Sequence, residues 1–568
     1  MNKLIILLKR LILSLKIIKL NSALKNLFIF SFFPLIYCIF FAKYGFEDTD
    51  TGFIIGMSYR ILNGEIPYID FAYVRPPITL YLNSLFMYVL PESHQVLFLR
   101  YIYYFYFTLP IFISIHILEK DYTFLKKSVN KVWIFSFSYL TSYLFFPPMG
   151  WHTIDGIVFS SIAILMLAKV SKSNWPYLIF LGSFFGLLAL FSKQSFAPII
   201  LISVLYIFFK IGKKESIIYL IFLSLQIIFI YLIFKETVFY DQFLFYTSGS
   251  STIKDLFTSG FLAYGYFPLT SKTTLIFILL CFFGYISKNL RKNFDEKVIF
   301  FLLVYFLIAN IFYFLETGNL ASKLIFRYDF ILFDICIIYI LYNIFFSNRF
   351  FSINFTWIKR NATLLALLSV SWMASISWGV MSPKLFLFPV IFIIFQYFAE
   401  KEKLNFKNTK LVIISSFFLL SHMILDYSSP YRDSTRNYLN YEMGDISPKL
   451  KGIWTDEDTY LKYLELKNIF DIYNGKSTII PSISSGYYLF NLRNGLPVDW
   501  AMDAEINFKT DYFIKKLENL DYIIVQKDDQ LNKDLAASSP KFASSLENYV
   551  IHNYGIVDEF EFFYIYQK

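Results

Sequence analysis

The sequence predicts a polytopic α-helical membrane protein of about 13 transmembrane helices, followed by a soluble α/β domain. Composition is the first sign: of 568 residues 57% are hydrophobic, 21% aromatic and only 17% charged, against about 25% charged in soluble proteins. Second, apolar runs near the length that crosses a hydrocarbon core of about 30 Å recur along most of the chain. Third, charge changes sign near residue 427: residues 1–426 hold 37 basic and 21 acidic groups, residues 427–568 hold 15 and 21. The basic surplus sits in short loops between apolar runs, not on one soluble face. That pattern excludes nucleic acid as a partner and fits a lipid bilayer. Cys38, Cys281 and Cys336 all lie in apolar segments and imply no disulfide framework.

In chain order, residues 1–25 read as a basic amphipathic segment on the cytoplasmic leaflet, because Lys9 and Arg10 break the apolar run and no cleavage site follows. Residues 26–426 form the membrane domain, with crossings at 27–43, 96–118, 132–147, 154–170, 177–191, 196–209, 216–234, 273–287, 298–315, 329–346, 363–381, 385–399 and 411–426. Loops on the side of the N-terminus carry 26 basic residues, Lys126, Lys213, Arg291 and Lys403 among them. The positive-inside rule therefore makes the N-terminus cytoplasmic and places 44–77, 235–272, 316–328 and the whole tail outside, in a bacterial-type inner (plasma) membrane. The run 78–91 follows Pro76-Pro77 and is short, so it reads as a re-entrant or interfacial helix. No internal repeat of the kind that builds duplicated transporters is present.

Residues 427–568 read as the extracytoplasmic α/β domain. A capping box at Thr455–Asp458 opens a helix to about Tyr473, STIIPSI and DYIIVQ are buried strands, 529–549 a second helix, and EFEFFYIY a closing strand.

Chemistry concentrates in the first outer loop, FEDTDTGFIIGMSYRILNGEIPYIDFAYVRPPITLYL. Apolar spacing from Thr51 to Leu62 predicts a short helix lying on the membrane with Asp50 at its N-cap, and a plain cap accounts for Asp50 without any catalysis. Cations are few on that face: Arg60, Arg75, Lys193, Lys235, Lys254, Lys323 and Arg327. Charges at membrane depth either take a partner or snorkel to headgroups, and both readings stand for Lys193 and Arg327. His152 and Asp155 in GWHTIDG border a ligand or form a local hydrogen bond and cap. Loop 235–272 is too long for a bare connector. Five scattered histidines give no metal motif, and Asp48-Thr-Asp50 alone is a weak one, so no cofactor is indicated beyond an optional divalent ion.

The series Asp50-Thr51-Gly52, Arg60-Ile-Leu62-Asn-Gly64, Pro67-Tyr68-Ile-Asp70-Phe71 and Arg75-Pro76-Pro77 resembles the first-loop signature of GT-C fold glycosyltransferases. It is most similar to that of glycosyltransferase family 39, the protein O-mannosyltransferases and aminoarabinose transferases. The resemblance implies a polyprenyl-phosphate-linked sugar donor, an extracytoplasmic glycan, lipid or protein acceptor, and Asp50 as general base. Thr51 stands where the family has Glu, which leaves Asp48 or Glu47 as the second carboxylate. The same resemblance assigns Lys193-Gln194 and Arg327-Tyr328 to the lipid phosphate, groups Asp48, Asp70, Arg75, His152 and Asp155 around the substrate, and makes 235–272 a substrate-covering loop. Stretches such as NLRNGLPVDWAMD are similar to the tail domain of a bacterial branch, where Arg493, Asp499, Trp500 and Asp503 either touch a glycan or form a packed turn. Two other readings remain open at this point: a polysaccharide transporter or flippase, and an oligosaccharide polymerase or ligase.

Overall fold

The computed structural model describes residues 22–143, 149–171, 175–234, 242–243, 245, 257–270, 328–345, 354–376, 383–400, 416, 420, 423–424, 427–428, 430, 433–473, 475–527 and 543–568. Helices dominate up to residue 400. They are α1 (Ser22–Phe40), α2 (Asp50–Leu62), α3 (Ile78–Val89), α4 (Gln95–Tyr106), α5 (Thr108–Leu118), α6 (Ser128–Tyr143), α7 (His152–Ala168), α8 (Trp175–Ser192), α9 (Ile199–Lys210), α10 (Lys213–Phe234), α11 (Ala263–Thr270), α12 (Tyr328–Phe345), α13 (Phe355–Ser375) and α14 (Phe388–Glu400).

Among the described residues, three helical stretches are long and apolar enough to cross a membrane: Gln95–Leu118, Trp175–Ser192 and Lys213–Ile233. The first is α4 run into α5 with a break at Phe107, three residues before Pro110, whose ring removes a helical hydrogen bond. Several expected crossings are shorter apolar helices, Phe30–Phe40, His152–Ala168 and Phe388–Tyr397 among them. The expected crossings at 273–287 and 298–315 lie outside the described residues. The run 78–91 is the 12-residue helix α3. Small residues set the close helix contacts. A Cβ at Gly182 of α8 would stand 2.6 Å from Leu167 of α7, and one at Gly156 of α7 would stand 2.4 Å from the Phe196 ring.

The C-terminal part has a two-stranded antiparallel pair, β1 (Tyr441–Glu442) with β2 (Trp454–Thr455), and a four-stranded sheet in the order β3-β4-β6-β5. In that sheet β3 (Ser477–Ile480) and β4 (Tyr522–Gln526) are parallel, whereas β6 (Phe563–Gln567) runs antiparallel to both β4 and β5 (Gly555–Glu559). The near-continuous burial of β3 and β4 suits strands covered on both faces. Four helices accompany them: α15 (Glu457–Ile472), α16 (Ser485–Leu489), α17 (Thr510–Leu517) and α18 (Ser545–Asn553). The cap of α15 is Asp456, whose carboxylate accepts from Thr459 N at 2.9 Å, so the N-cap is Asp456 and not the expected Thr455. Of the expected helix 529–549, residues 529–542 lie outside the described residues and the remainder leads into α18.

This part is not laid loosely against the helices. Trp454 extends the strand pair onto the end of α1, since Gly45 N donates to Trp454 O at 2.8 Å and Trp454 N to Lys43 O at 2.7 Å. From α4, the buried Arg100 donates to the carbonyls of Ala42 at 2.7 Å and Gly45 at 2.6 Å, which satisfies carbonyls that the end of α1 leaves unmatched. Helix α2 was expected on the membrane surface, but it is buried along most of its length. Gly56 is the reason: its missing side chain lets the Ser484 carbonyl oxygen come within 2.5 Å of where a Cβ would be, so α16 seats directly on α2. The apolar core is accordingly continuous, with Phe53, Ile54 and Met57 packing among Ile480, Val498 and Trp500.

Candidate functional site

The N-cap position of α2 is Thr49, whose side chain makes no capping bond. Capping falls instead to Glu47, whose carboxylate accepts from Thr49 N at 3.1 Å, Asp50 N at 2.8 Å and Thr51 N at 2.7 Å, as well as from the Thr49 hydroxyl. A carboxylate on three backbone donors at the positive end of a helix is strongly held. The expectation that Asp50 is the cap therefore fails, because Glu47 already satisfies those donors. Asp50 is left at the first helical position, buried, without the capping task.

Arg75 is the centre of the charged groups nearby. Its two terminal nitrogens form a fork on Glu505, Nη1 to Oε2 at 2.7 Å and Nη2 to Oε1 at 2.6 Å, and its guanidinium lies 5.6 Å from the centre of the Phe53 ring. The Tyr68 hydroxyl donates to the Arg75 carbonyl, fixing the backbone from behind. Burial works against the Arg75 charge, but the Glu505 carboxylate outweighs it, with Tyr73 and Asp50 adding to the effect, so the guanidinium holds its proton more tightly than usual. Asp50 and Arg75 thus share one electrostatic neighbourhood.

Lys193 belongs to it as well. It sits between α8 and α9, where its ammonium donates to Ile376 O at 2.7 Å and to Thr153 Oγ1 at 3.2 Å. Both partners are neutral. Burial, and next the positive charge of Arg75, bring the Lys193 pKa down to about 7. The neighbouring Gln194 donates to Val74 O at 3.0 Å, joining this loop to the residue before Arg75. His152, next to Thr153, is buried with its ring 4.2 Å from that of Trp151, and its Nδ1 has no hydrogen-bond partner among the described residues. The expected local pair with Asp155 does not form: Asp155 accepts from the Thr79 hydroxyl at 2.6 Å.

Asp50, Lys193 and His152 therefore each share the electrostatic neighbourhood of Arg75, and Gln194 is tied to the residue before it. Asp48 and Asp70 are engaged elsewhere. Asp48 pairs with Lys462 of α15 at 2.7 Å, and the exposed Asp70 accepts from Ile66 N at 2.7 Å within its own turn. Two carboxylates two residues apart on a chain that is about to become helical point different ways, which is why Asp48 and Asp50 do not converge. No group of three or more potential metal ligands occurs among the described residues. Arg327 lies outside the described residues, as does the side chain of Tyr328.

Of the four tail residues named from sequence, Arg493 is exposed and the other three are structural. Trp500 stacks on Phe53 at 4.2 Å, Asp499 receives Arg60 at 2.8 Å, and Asp503 accepts from Ser545 N at 3.0 Å at the start of α18. Glu505 was missed: nothing local in WAMDAEINF distinguishes an acid that meets an arginine 430 positions away. Loop 235–272 is described only in part, and Phe243 and Phe245 show where it lands. Phe243 meets Tyr68 edge-on at 5.1 Å, and the Phe245 carbonyl accepts from Asn507 Nδ2 at 2.9 Å.

No family model matches this chain, and no curated protein or solved structure matches it either.

Proposed function

We propose that this protein is an integral-membrane glycosyltransferase that moves a sugar from a polyprenyl-phosphate donor to an acceptor outside the cytoplasm. The approach of Asp50 and Lys193 to Arg75 carries the reading, because lipid-phosphate sugar transfer needs one carboxylate beside cations. The acceptor hydroxyl forms a bond to the anomeric carbon while the bond from that carbon to the phosphate oxygen breaks, and the configuration inverts. The Asp50 carboxylate takes the hydroxyl proton. The phosphate leaves as an anion, so it requires cations and no acid, and Lys193 with Arg75 supplies them. Gln194 and His152 border the sugar.

The first-loop pattern supports this reading and is also where Gly56 allows the C-terminal part to seat on α2. In the same proposal the chain crosses the inner membrane about thirteen times, with the tail and the loops 44–77 and 235–272 outside. The basic loops support that orientation.

Transfer assayed in nanodiscs with undecaprenyl-phosphate sugars and envelope acceptors tests it. Asp50→Asn is expected to abolish transfer while the protein is still made and folded. Wild-type rates in that variant would refute the assignment.

A further inference from the structure

Two helix starts meet near the site. Thr51, in the first turn of α2, donates its hydroxyl to the sulfur of Met149, three residues ahead of α7, at 3.2 Å. Every such start carries N–H groups without helical acceptors and the positive end of the helix dipole. On α2 the Glu47 carboxylate takes them. On α7 no side chain does so among the described residues. The position ahead of its first turn is Trp151, whose indole is a donor only. Ile154 N and Asp155 N turn back to the Trp151 carbonyl at 2.9 and 3.1 Å, and the N–H groups of His152 and Thr153 are left without an acceptor among the described residues. Asp155, the acid of that turn, accepts from the Thr79 hydroxyl at 2.6 Å and caps nothing.

This helix start is also buried, with His152 3% and Thr153 1% exposed, so bulk water is a poor substitute for the missing acceptor. His152 Nδ1 is a further buried polar atom there with no partner among the described residues. Burial first, then the charges of Arg75 and Lys193, keep that imidazole neutral, which sets the ring on the side of the helix end where those cations lie. Lys193 completes the group. Its ammonium donates to Thr153 Oγ1 at 3.2 Å and to the Ile376 carbonyl at 2.7 Å. The lysine is only partly buried and its neighbour Gln194 is exposed, so the helix end is reached past one flexible side chain. An anionic oxygen is a stronger acceptor for that ammonium than the Thr153 hydroxyl it would replace.

We infer that the N-terminus of α7 is the seat of the donor's phosphate, with the backbone N–H groups of His152 and Thr153 and the Thr153 hydroxyl as hydrogen-bond donors, His152 Nδ1 as a further contact and Lys193 as the counter-ion. The inference rests on the glycosyltransferase reading above and names groups outside the first-loop pattern that hold the leaving phosphate. Helix-start donors suit a phosphate because they are fixed in place and aimed together. As the bond to the anomeric carbon breaks and charge grows on the phosphate, they stabilise it without rearranging.

Binding of undecaprenyl phosphate to the full-length protein in nanodiscs tests this, with undecaprenol as the lipid lacking the anion and inorganic phosphate as the anion lacking the lipid. Thr153→Val keeps the shape but loses the hydroxyl and is expected to bind undecaprenyl phosphate about tenfold more weakly than wild type. Thr153→Ser should restore the affinity, and His152→Phe, which keeps a ring but loses the nitrogen, should weaken it. In the wild-type protein, undecaprenyl phosphate should slow amide exchange across residues 151–154 while undecaprenol and inorganic phosphate should not, a readout that does not depend on any variant folding. Unchanged exchange there, or Thr153→Val binding as tightly as wild type, overturns the inference. Equal protection by inorganic phosphate would make this a free-phosphate seat and overturn the lipid-borne assignment. If exchange is unchanged while Lys193→Ala still weakens undecaprenyl phosphate binding, the helix seat alone has failed. If wild type binds undecaprenyl phosphate no better than undecaprenol, the phosphate-site reading falls together with it.

Discussion

Replacing Arg60 with Met should detach the C-terminal part from α2. Arg60 is 5% exposed and donates to Asp499 at 2.8–3.2 Å, to the Leu496 carbonyl at 2.6 Å and to Glu65 at 2.8 Å. Asp499 is 4% exposed, and Asn494 Nδ2 at 2.7 Å is its other side-chain donor. Met preserves most of the packing of the arginine stem but strands the carboxylate in a dry site, which costs about 3–5 kcal/mol when a buried pair loses one partner. Neutralising both ends removes the stranded charge, so Arg60→Met with Asp499→Asn should be more stable than Arg60→Met alone. Thermal unfolding in detergent gives the stabilities, and limited proteolysis follows release of a fragment beginning near residue 433. A loss under about 1 kcal/mol, the size of an exposed pair, would refute a buried tie. So would additive losses in the double variant.

Other outcomes follow from single contacts. Gly56→Ala places a methyl group 2.5 Å from a backbone oxygen and should destabilise the same junction by about 1–3 kcal/mol, whereas Gly52→Ala, with its nearest neighbour at 3.4 Å, should be tolerated. Unfolding of the two variants side by side checks this, and equal losses would contradict it. Glu47→Ala removes the acceptor for three backbone donors, so about 1–2 kcal/mol is lost, read as faster amide exchange over residues 49–53. With its pKa near 7, Lys193 is charged below neutrality and loses its proton above it. Undecaprenyl phosphate binding should therefore weaken by about fivefold between pH 7 and 8. Arg75 and His152 are the titratable and charged neighbours of Lys193 among the described residues, and Lys193→Arg should flatten the profile, because guanidinium stays charged throughout.

Local signals made much of this architecture legible. The strands Ser477–Ile480 and Tyr522–Gln526 and the helix α15 announced themselves through apolar runs and an acidic start, because those features act over a few residues. What escaped were contacts across hundreds of positions. Glu505 on Arg75, Asp499 on Arg60 and Lys462 on Asp48 all join the C-terminal part to the first loop, and no local pattern marks the partner of a buried charge. The burial of α2 has the same origin. Its apolar spacing was read as a membrane-facing stripe, yet Gly56 lets a second protein surface seat on the helix. Asp50 was located correctly as the opening of a helix, but its release from capping depended on where the Glu47 side chain turned back.

The most direct test is a cryo-EM structure of the protein in nanodiscs with undecaprenyl phosphate. The phosphate oxygens should lie about 2.8 Å from Lys193 Nζ and from the Arg75 guanidinium, with Asp50 beside them. A phosphate bound elsewhere, with Lys193 still bonded only to Thr153 and Ile376, would contradict the glycosyltransferase site.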